Sequence, residues 1–456
     1  MNRTDRTDRT GRRAAPTVLA ASLAAVLALG TLAGCGADDG SDNAGGDDKA
    51  PLEIWVRKPP GSPTEKTHQD LAAAFTKATG VEAKVTALFD DFETKLQQAA
   101  AQKDLPDLIV NDTAQLGTLV KQGLVREVRQ SEVAGGDQLI PSSWEAARAA
   151  DGKYYGVPFS AQTFALFVRK DWREKLGIAP PADWDQLDAL ATAFTTGDPD
   201  GNGKADTYGY VIPGTTKRGY MDWYFSSFLW SAGGEYFSGE GKSLKPAIDS
   251  PAAIAAARHL KDQFCADKSV VPGAVTAETT QAHPLFETGK GGIYLTGPYN
   301  MARFDKALGK DKYEVLPLPP GPGGKSAVLA EGENTYLMAG SKNPKGQLKY
   351  AEFLIGAEGQ SAGMAGDTAG NVVRLPVNKS VKLSAVRQDA RWQVFDEVYR
   401  ESGRYSPVVK EWTPFRQASA EALNGMVADC GSDPGAVLGR LAASFAEELK
   451  KQGAGS

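Results

Sequence analysis

The sequence predicts an α/β fold with two domains. Two observations carry this. Short strand-like runs alternate with amphipathic helical stretches between residues 52 and 122, the pattern of a parallel sheet with helical crossovers. Beyond residue 50 the chain has roughly 400 residues of ordinary globular composition, and single cores split above roughly 250–300 residues.

Leu52-Glu53-Ile54-Trp55-Val56 alternates apolar and polar as a first strand, and Pro59-Pro60-Gly61 ends it. Leu71, Ala74, Phe75 and Ala78 form a helical stripe within 64–78. Val81–Val85 reads as a second strand, 90–103 as a second helix, and Leu105–Val110 as a third strand. The third strand is nearly all apolar, which fits a sheet covered on both faces. A helix at 114–122 and a turn at Gly123 follow. Asn111, Asp112 and Thr113 fall beyond the third strand, and ligands of open α/β sheets bind past the carboxyl ends of strands. Further helices are expected at 184–195, 220–232, 250–264 and 299–307. A second α/β stretch spans Tyr313–Leu337, and helices dominate 345–363 and 386–447. No internal repeat is visible.

The N-terminus fixes the expected compartment. Arg3, Arg6, Arg9, Arg12 and Arg13 precede an uncharged Ala/Leu-rich run from Pro16 to Leu32, then Ala33-Gly34-Cys35. This is the layout of a secretory signal peptide at 1–34. Leu32-Ala33-Gly34-Cys35 looks like a lipobox, in which the Cys35 thiol receives a diacylglyceryl group. Acyl chains contribute about 0.8 kcal/mol per buried methylene, enough to hold a soluble domain at a membrane. Residues 35–50 are small and polar and read as a flexible tether.

The net charge is −5, with no basic block outside the signal segment, so nucleic-acid binding has no electrostatic footprint. His68, His259 and His283 share no metal-ligand spacing, which leaves little support for zinc or triad chemistry. With Cys35 acylated, Cys265 and Cys430 remain. In an exported chain they suggest one disulfide, with two buried free thiols as the alternative. Asp198-Pro199-Asp200-Gly201-Asn202-Gly203-Lys204-Ala205-Asp206 matches the first nine positions of an EF-hand loop. Asp198, Asp200, Asn202 and Asp206 would supply side-chain oxygens and Lys204 its carbonyl. The twelfth position is Gly209 rather than a bidentate Glu, so either a structural calcium or a self-satisfied acidic turn fits. No other cofactor is called for.

Several segments together resemble the extracellular solute-binding lipoproteins of bacterial ABC importers, in the maltose-binding-protein-like carbohydrate group. They are LPDLIV with NDTAQLG and QGLV, GVPFSAQTFALFVRKDW, FLWSAGGEYF, FETGKGGIYLTGPYNMARF, and EFLIGAEGQ with LPVN, in this order across 51–450. The resemblance implies a type II periplasmic-binding-protein-like fold, two α/β lobes around a ligand cleft. It assigns 51–160 and 318–375 to the N-terminal lobe and 161–317 and 376–456 to the C-terminal lobe. It implies a non-enzymatic monomer that captures a mono- or oligosaccharide and delivers it to membrane permease subunits.

Sugar binding needs aromatic platforms for the C–H faces and polar side chains for the hydroxyl rim. By resemblance the aromatics are Trp223, ten residues before Gly233-Gly234, and Tyr299 after Gly297-Pro298, where many relatives have Trp. Gln162 stands where relatives often place a carboxylate or amide. Asn111 and Asp112 are candidates as polar contacts, against a role as local caps. Trp412 and Arg416, one helical turn apart, are expected to face the cleft. Glu331, Glu333 and Asn334 are expected in a loop that is usually glycine-rich in relatives, and Arg57 follows the first strand. Three rival readings stand beside this one: a lipid-anchored glycoside hydrolase, which needs two opposed carboxylates, a receptor of the same fold for a non-sugar solute, and a co-receptor passing occupancy to a sensor kinase.

Overall fold

The computed structural model describes residues 49–365 and 370–455. The signal segment, Cys35 and most of the tether lie outside the described residues.

Twelve strands lie among the described residues: β1 Leu52–Arg57, β2 Ala83–Leu88, β3 Leu108–Asp112, β4 Val157–Thr163, β5 Ala165–Arg169, β6 Tyr208–Tyr210, β7 Phe237–Ser238, β8 Lys245–Pro246, β9 Gly291–Thr296, β10 Tyr313–Leu316, β11 Val328–Leu337 and β12 Gly403–Arg404. Two main sheets carry two lobes. The first runs β12-β11-β3-β1-β2, with β4 also paired to β11; the second runs β10-β5-β9-β6. As expected from the crossovers, β1 pairs in parallel with β2 and β3. The sheet is mixed, however, because β11 runs antiparallel to both β3 and β4. The chain re-enters this sheet from the other lobe, so β11 arrives from the opposite end.

Local chemistry sets the first helix. Ser62 accepts the Glu65 amide, Pro63 occupies the first turn, and Gly80 closes the end at φ 74°, a left-handed cap that only glycine adopts without strain. Leu108, Ile109 and Val110 of β3 are fully buried, as the apolar run requires. The third strand starts later than its sequence suggests and extends through Asn111 and Asp112; Asp112 also stands at the N-cap of the short turn Thr113–Gln115, without a side-chain capping bond.

The second lobe is more helical. The helix Tyr220–Ser231 packs on Thr413–Ala428, on Pro251–Cys265 and on β11. That last contact joins the lobes. Tyr224, Phe225, Phe228 and Leu229 of this helix fill the second core with Trp184, Leu260, Phe415 and Phe445. Cys265, at the end of one helix, joins Cys430, just past another, with Cα atoms 5.6 Å apart. The chain passes from the first sheet to the second within one residue, since β4 ends at Thr163 and β5 begins at Ala165. No helix among the described residues is long and apolar enough to cross a membrane.

Candidate functional site

The site lies where β11, β4 and the Tyr220–Ser231 helix meet. Glu331 is at its centre. Far from filling a loop, Glu331, Glu333 and Asn334 belong to β11, which is hydrogen-bonded on one side to β4 and, from Glu333 onward, on the other to β3. A polar stretch reads as a loop when its neighbours are unknown; here two flanking strands satisfy its backbone. Glu331 and Glu333 are two residues apart, the spacing that puts side chains on one face of a strand. Asn334 turns inward instead. It is fully buried and its Nδ2 donates to the Ala146 carbonyl at 2.8 Å, so it has no part in the cleft.

Glu331 accepts a 2.6 Å hydrogen bond from Trp223 Nε1 and a 3.3 Å bond from Gln162 Nε2. No cation lies within ion-pair range of it among the described residues. Burial, with the neighbouring Asp112 charge, pushes its carboxyl up to about 7. Gln162 itself is buried, and its Oε1 has no partner among the described residues. Trp223 is partly exposed and meets Phe164 edge to face at 4.1 Å and Tyr220 at 5.9 Å. The sequence therefore placed Trp223, Gln162 and Glu331 separately, and the fold brings them together.

Glu333 belongs to a buried ionic group. It pairs with Lys58 and with Arg374 Nη1 at 3.5 Å. Burial raises a carboxyl, but these two cations outweigh it and hold Glu333 below its usual range. Burial pulls the Lys58 ammonium down. Glu333 Oε2 has no partner. The Arg374 guanidinium sits 5.4 Å from the centre of the Tyr299 ring. Tyr299 is partly exposed in the short turn after β9, and its hydroxyl bonds Thr296 Oγ1 at 3.2 Å. A Cβ on Gly297 would lie 2.4 Å from the Tyr299 ring, so the Gly-Pro-Tyr order makes room for the aromatic.

A third group forms at the rim. Arg57 approaches Asp112 at 3.3 Å and Glu93 at 3.5 Å, and Arg218 stands 3.8 Å from both carboxylates. Asp112 thus joins the site. Asn111 does not: it is buried and its Oδ1 accepts the Asp112 amide.

Trp412 departs from expectation. It is 6% exposed, stacks on Phe415 and takes the edge of Tyr236 at 4.9 Å. It is a core residue whose margin reaches a cavity of ≈ 10 Å³ shared with Glu331, Asp222 and Arg416, room for about one water. Aromatics this enclosed have no free face for a sugar. Arg416, one turn on, does face the site.

Lys58, Arg374, Arg218, Tyr220 and Asp222 were not foreseen. Asp222 is buried, accepts the Tyr236 hydroxyl at 2.7 Å and also bonds Ser419; burial pushes it up to about 6. Lys58, Arg374 and Arg218 have partners remote in sequence, so no short-range pattern marks them.

In the Asp198–Asp206 loop, Asp198 accepts the amides of Gly201, Asn202 and Gly203, and Asn202 Nδ2 bonds Asp200 at 2.6 Å and Asp206 at 3.1 Å. The Lys204 amide donates to Asn202, and Lys290 pairs with Asp206 at 2.9 Å. Among the described residues no group of three or more His, Cys, Asp or Glu side chains is placed to hold a metal.

Comparisons with known proteins agree with this architecture. Residues 61–361 match the bacterial extracellular solute-binding protein family. A putative binding protein of Brucella abortus is 26% identical over 374 residues, covering 79% of this chain and 86% of the relative. The polygalacturonan/rhamnogalacturonan-binding protein YtcQ of Bacillus subtilis is 28% identical over 348 residues, covering 69% of this chain and 64% of the relative. The maltose-bound T. maritima MalE3 structure superposes with a TM-score of 0.72 at 21% identity, over 88% of this chain and 99% of that one. At that identity the likeness is one of fold: the two-lobed, type II solute-binding architecture.

Proposed function

Starting from the fact that this chain belongs to the bacterial extracellular solute-binding protein family, we propose that it captures a carbohydrate and hands it to the permease of an ABC importer. One observation carries the reading most: Trp223, on a helix of the second lobe, donates at 2.6 Å to Glu331 of the first sheet, and Gln162 on the neighbouring strand reaches the same carboxylate. An aromatic ring beside convergent acceptors is what a sugar's C–H face and hydroxyl rim require. The free Gln162 Oε1 and Glu333 Oε2 add acceptors for hydroxyl donors. YtcQ and the MalE3 structure, named for a polysaccharide and for maltose, support the same class of ligand.

The two lobes then close on the sugar as rigid bodies. Cys35 carries the lipid that tethers the chain to the outer face of the cytoplasmic membrane, and the protein works as a monomer without catalysis. The hydrolase alternative draws on Glu331, whose raised carboxyl suits a proton donor. Against it, the nearby Glu333 is bound to Lys58 and Arg374 on the same strand rather than opposed across a substrate. A bound calcium in the Asp198–Asp206 loop belongs to this proposal too; chelation then lowers the melting temperature, and Asp200→Ala removes that response.

The test is a thermal-shift screen of the mature chain against neutral and acidic mono- and oligosaccharides. A binder raises apparent stability by RT ln(1 + [L]/Kd). A shift with at least one saccharide, recovered chemically unchanged, is expected. No shift with any saccharide, or hydrolysis of the bound one, overturns the reading.

A further inference from the structure

The charged groups of the cleft are unevenly paired. Arg57 and Arg218 face Glu93 and Asp112, so two cations meet two carboxylates. Lys58 and Arg374 share Glu333 alone. The Arg416 side chain makes no hydrogen bond and no ion pair among the described residues. Glu331 and Asp222 are the carboxylates nearest to influence it, and burial pushes both up, to about 7 and about 6. Five cations thus meet five carboxylates, but the pairing is uneven: among the described residues Arg416 is the cleft cation that no carboxylate pairs with.

Arg416 is also held in position. Its stem lies on Gly219: a Cβ there would sit 2.5 Å from Arg416 Cγ and 2.9 Å from Cδ. Gly219 has φ +74°, the left-handed region, so glycine serves both the backbone and the close approach. The guanidinium shares a small cavity with Trp223, Glu331 and Trp412. Burial lowers the guanidinium from its usual pKa, the penalty of a charge awaiting a partner. Removing a charge from water without pairing it is costly unless something binds it.

We propose that the cleft selects a sugar bearing a carboxylate, and that Arg416 is the side chain that takes it. The proposal rests on the carbohydrate reading above and names the ligand class within it. A guanidinium presents a planar fork of donors that matches a carboxylate two bonds at a time. One unpaired cation matches one negative charge, which favours a carboxylate over a phosphate, with its charge of about −1.5 to −2. Trp223 then covers the ring of the acidic sugar, and Gln162 and Glu331 read its hydroxyls.

The experiment is calorimetric titration of the mature, lipid-free chain, with cysteine pairing intact. The probes are D-galacturonate, D-glucuronate and their dimers, the matched neutral sugars galactose, glucose and their dimers, and glucose 6-phosphate. A uronate is expected to bind about tenfold or more tighter than its neutral counterpart at low salt, with the margin shrinking as salt rises. Arg416→Gln is expected to erase that margin, and Arg416→Lys to restore part of it. The unliganded melting temperature of each variant shows whether the fold is kept, and Arg416→Lys, which retains stem and charge, serves if Arg416→Gln fails to fold. Neutral sugars binding as tightly as uronates overturn the proposal while leaving the transport reading intact. So does glucose 6-phosphate binding more tightly than any uronate, or a uronate margin that survives in the variants. Binding of neither series overturns both.

Discussion

Trp223 Nε1 donates to Glu331 Oε1 at 2.6 Å, one side chain from a helix of the second lobe and the other from a strand of the first. The proposed platform and the central carboxylate of the cleft are therefore one unit. Whatever displaces the indole also strips Glu331 of its best donor.

Trp223→Ala removes both ring and donor, while Trp223→Phe keeps a ring and removes only the donor. Saccharide affinity is expected to fall about tenfold or more in the first and by a smaller factor in the second. Trp223 is partly exposed, so the melting temperature of either variant should change little. Wild-type affinity in Trp223→Ala rejects the platform.

Glu331 gives the unliganded protein a pH signature. Its folded-state pKa, near 7, lies above its ordinary value, so the native state holds a proton that the unfolded chain releases. Its contribution to stability is present at acid pH, declines as pH rises from the ordinary carboxylate range, and is gone above about 7. Asp222, pushed up to about 6, acts in the same direction. Glu331→Gln is expected to flatten the fall in melting temperature between pH 5 and pH 7.5. Parallel curves for wild type and variant count against the buried-carboxyl account.

The Cys265–Cys430 link closes a loop with a sequence separation of 165. In the chain-entropy model this stabilises by roughly 5 kcal/mol, and measured losses are commonly about 2–5 kcal/mol. Cys265→Ser should therefore lower stability sharply without moving the cleft. Titration of denatured, unreduced protein lacking Cys35 is expected to find no reactive thiol; two thiols refute the bridge.

Anchoring is tested at Cys35. Cys35→Ala is expected to abolish labelling by a fatty-acid probe and release the chain to the medium. Retention at the membrane without label would remove the lipobox from the account.

Legibility in the sequence followed the range of the interaction. The alternation of Leu52–Val56 and the apolar run of Leu108–Val110 express backbone periodicities, and both became strands of the first sheet. Trp223, Tyr299 and Gln162 were found by motif spacing, and the fold brings Trp223 and Gln162 to one carboxylate. Lys58 and Arg374 were missed because nothing near either in sequence announces Glu333; Lys58 lies 275 residues from it. Trp412 and Asn334 misled for a related reason. A tryptophan before a helix and an asparagine in a polar run look accessible, and only tertiary packing shows one stacked on Phe415 and the other bonded to Ala146. The polar run Glu331–Asn334 looked like a loop because partners on both sides, β3 and β4, were needed to make it a strand.

Phe164 is the single residue between β4 and β5, and its ring meets Trp223 at 4.1 Å. On the proposed reading, one crossing between the sheets and the ring that would meet the sugar are neighbours. A torsion of the chain at Phe164 would then act as a lever on the indole, with almost no arm to absorb it. Substituting Phe164 by a smaller side chain would slacken that gear: the lobes could swing while the indole stayed behind, separating the grip on the sugar from the motion that encloses it.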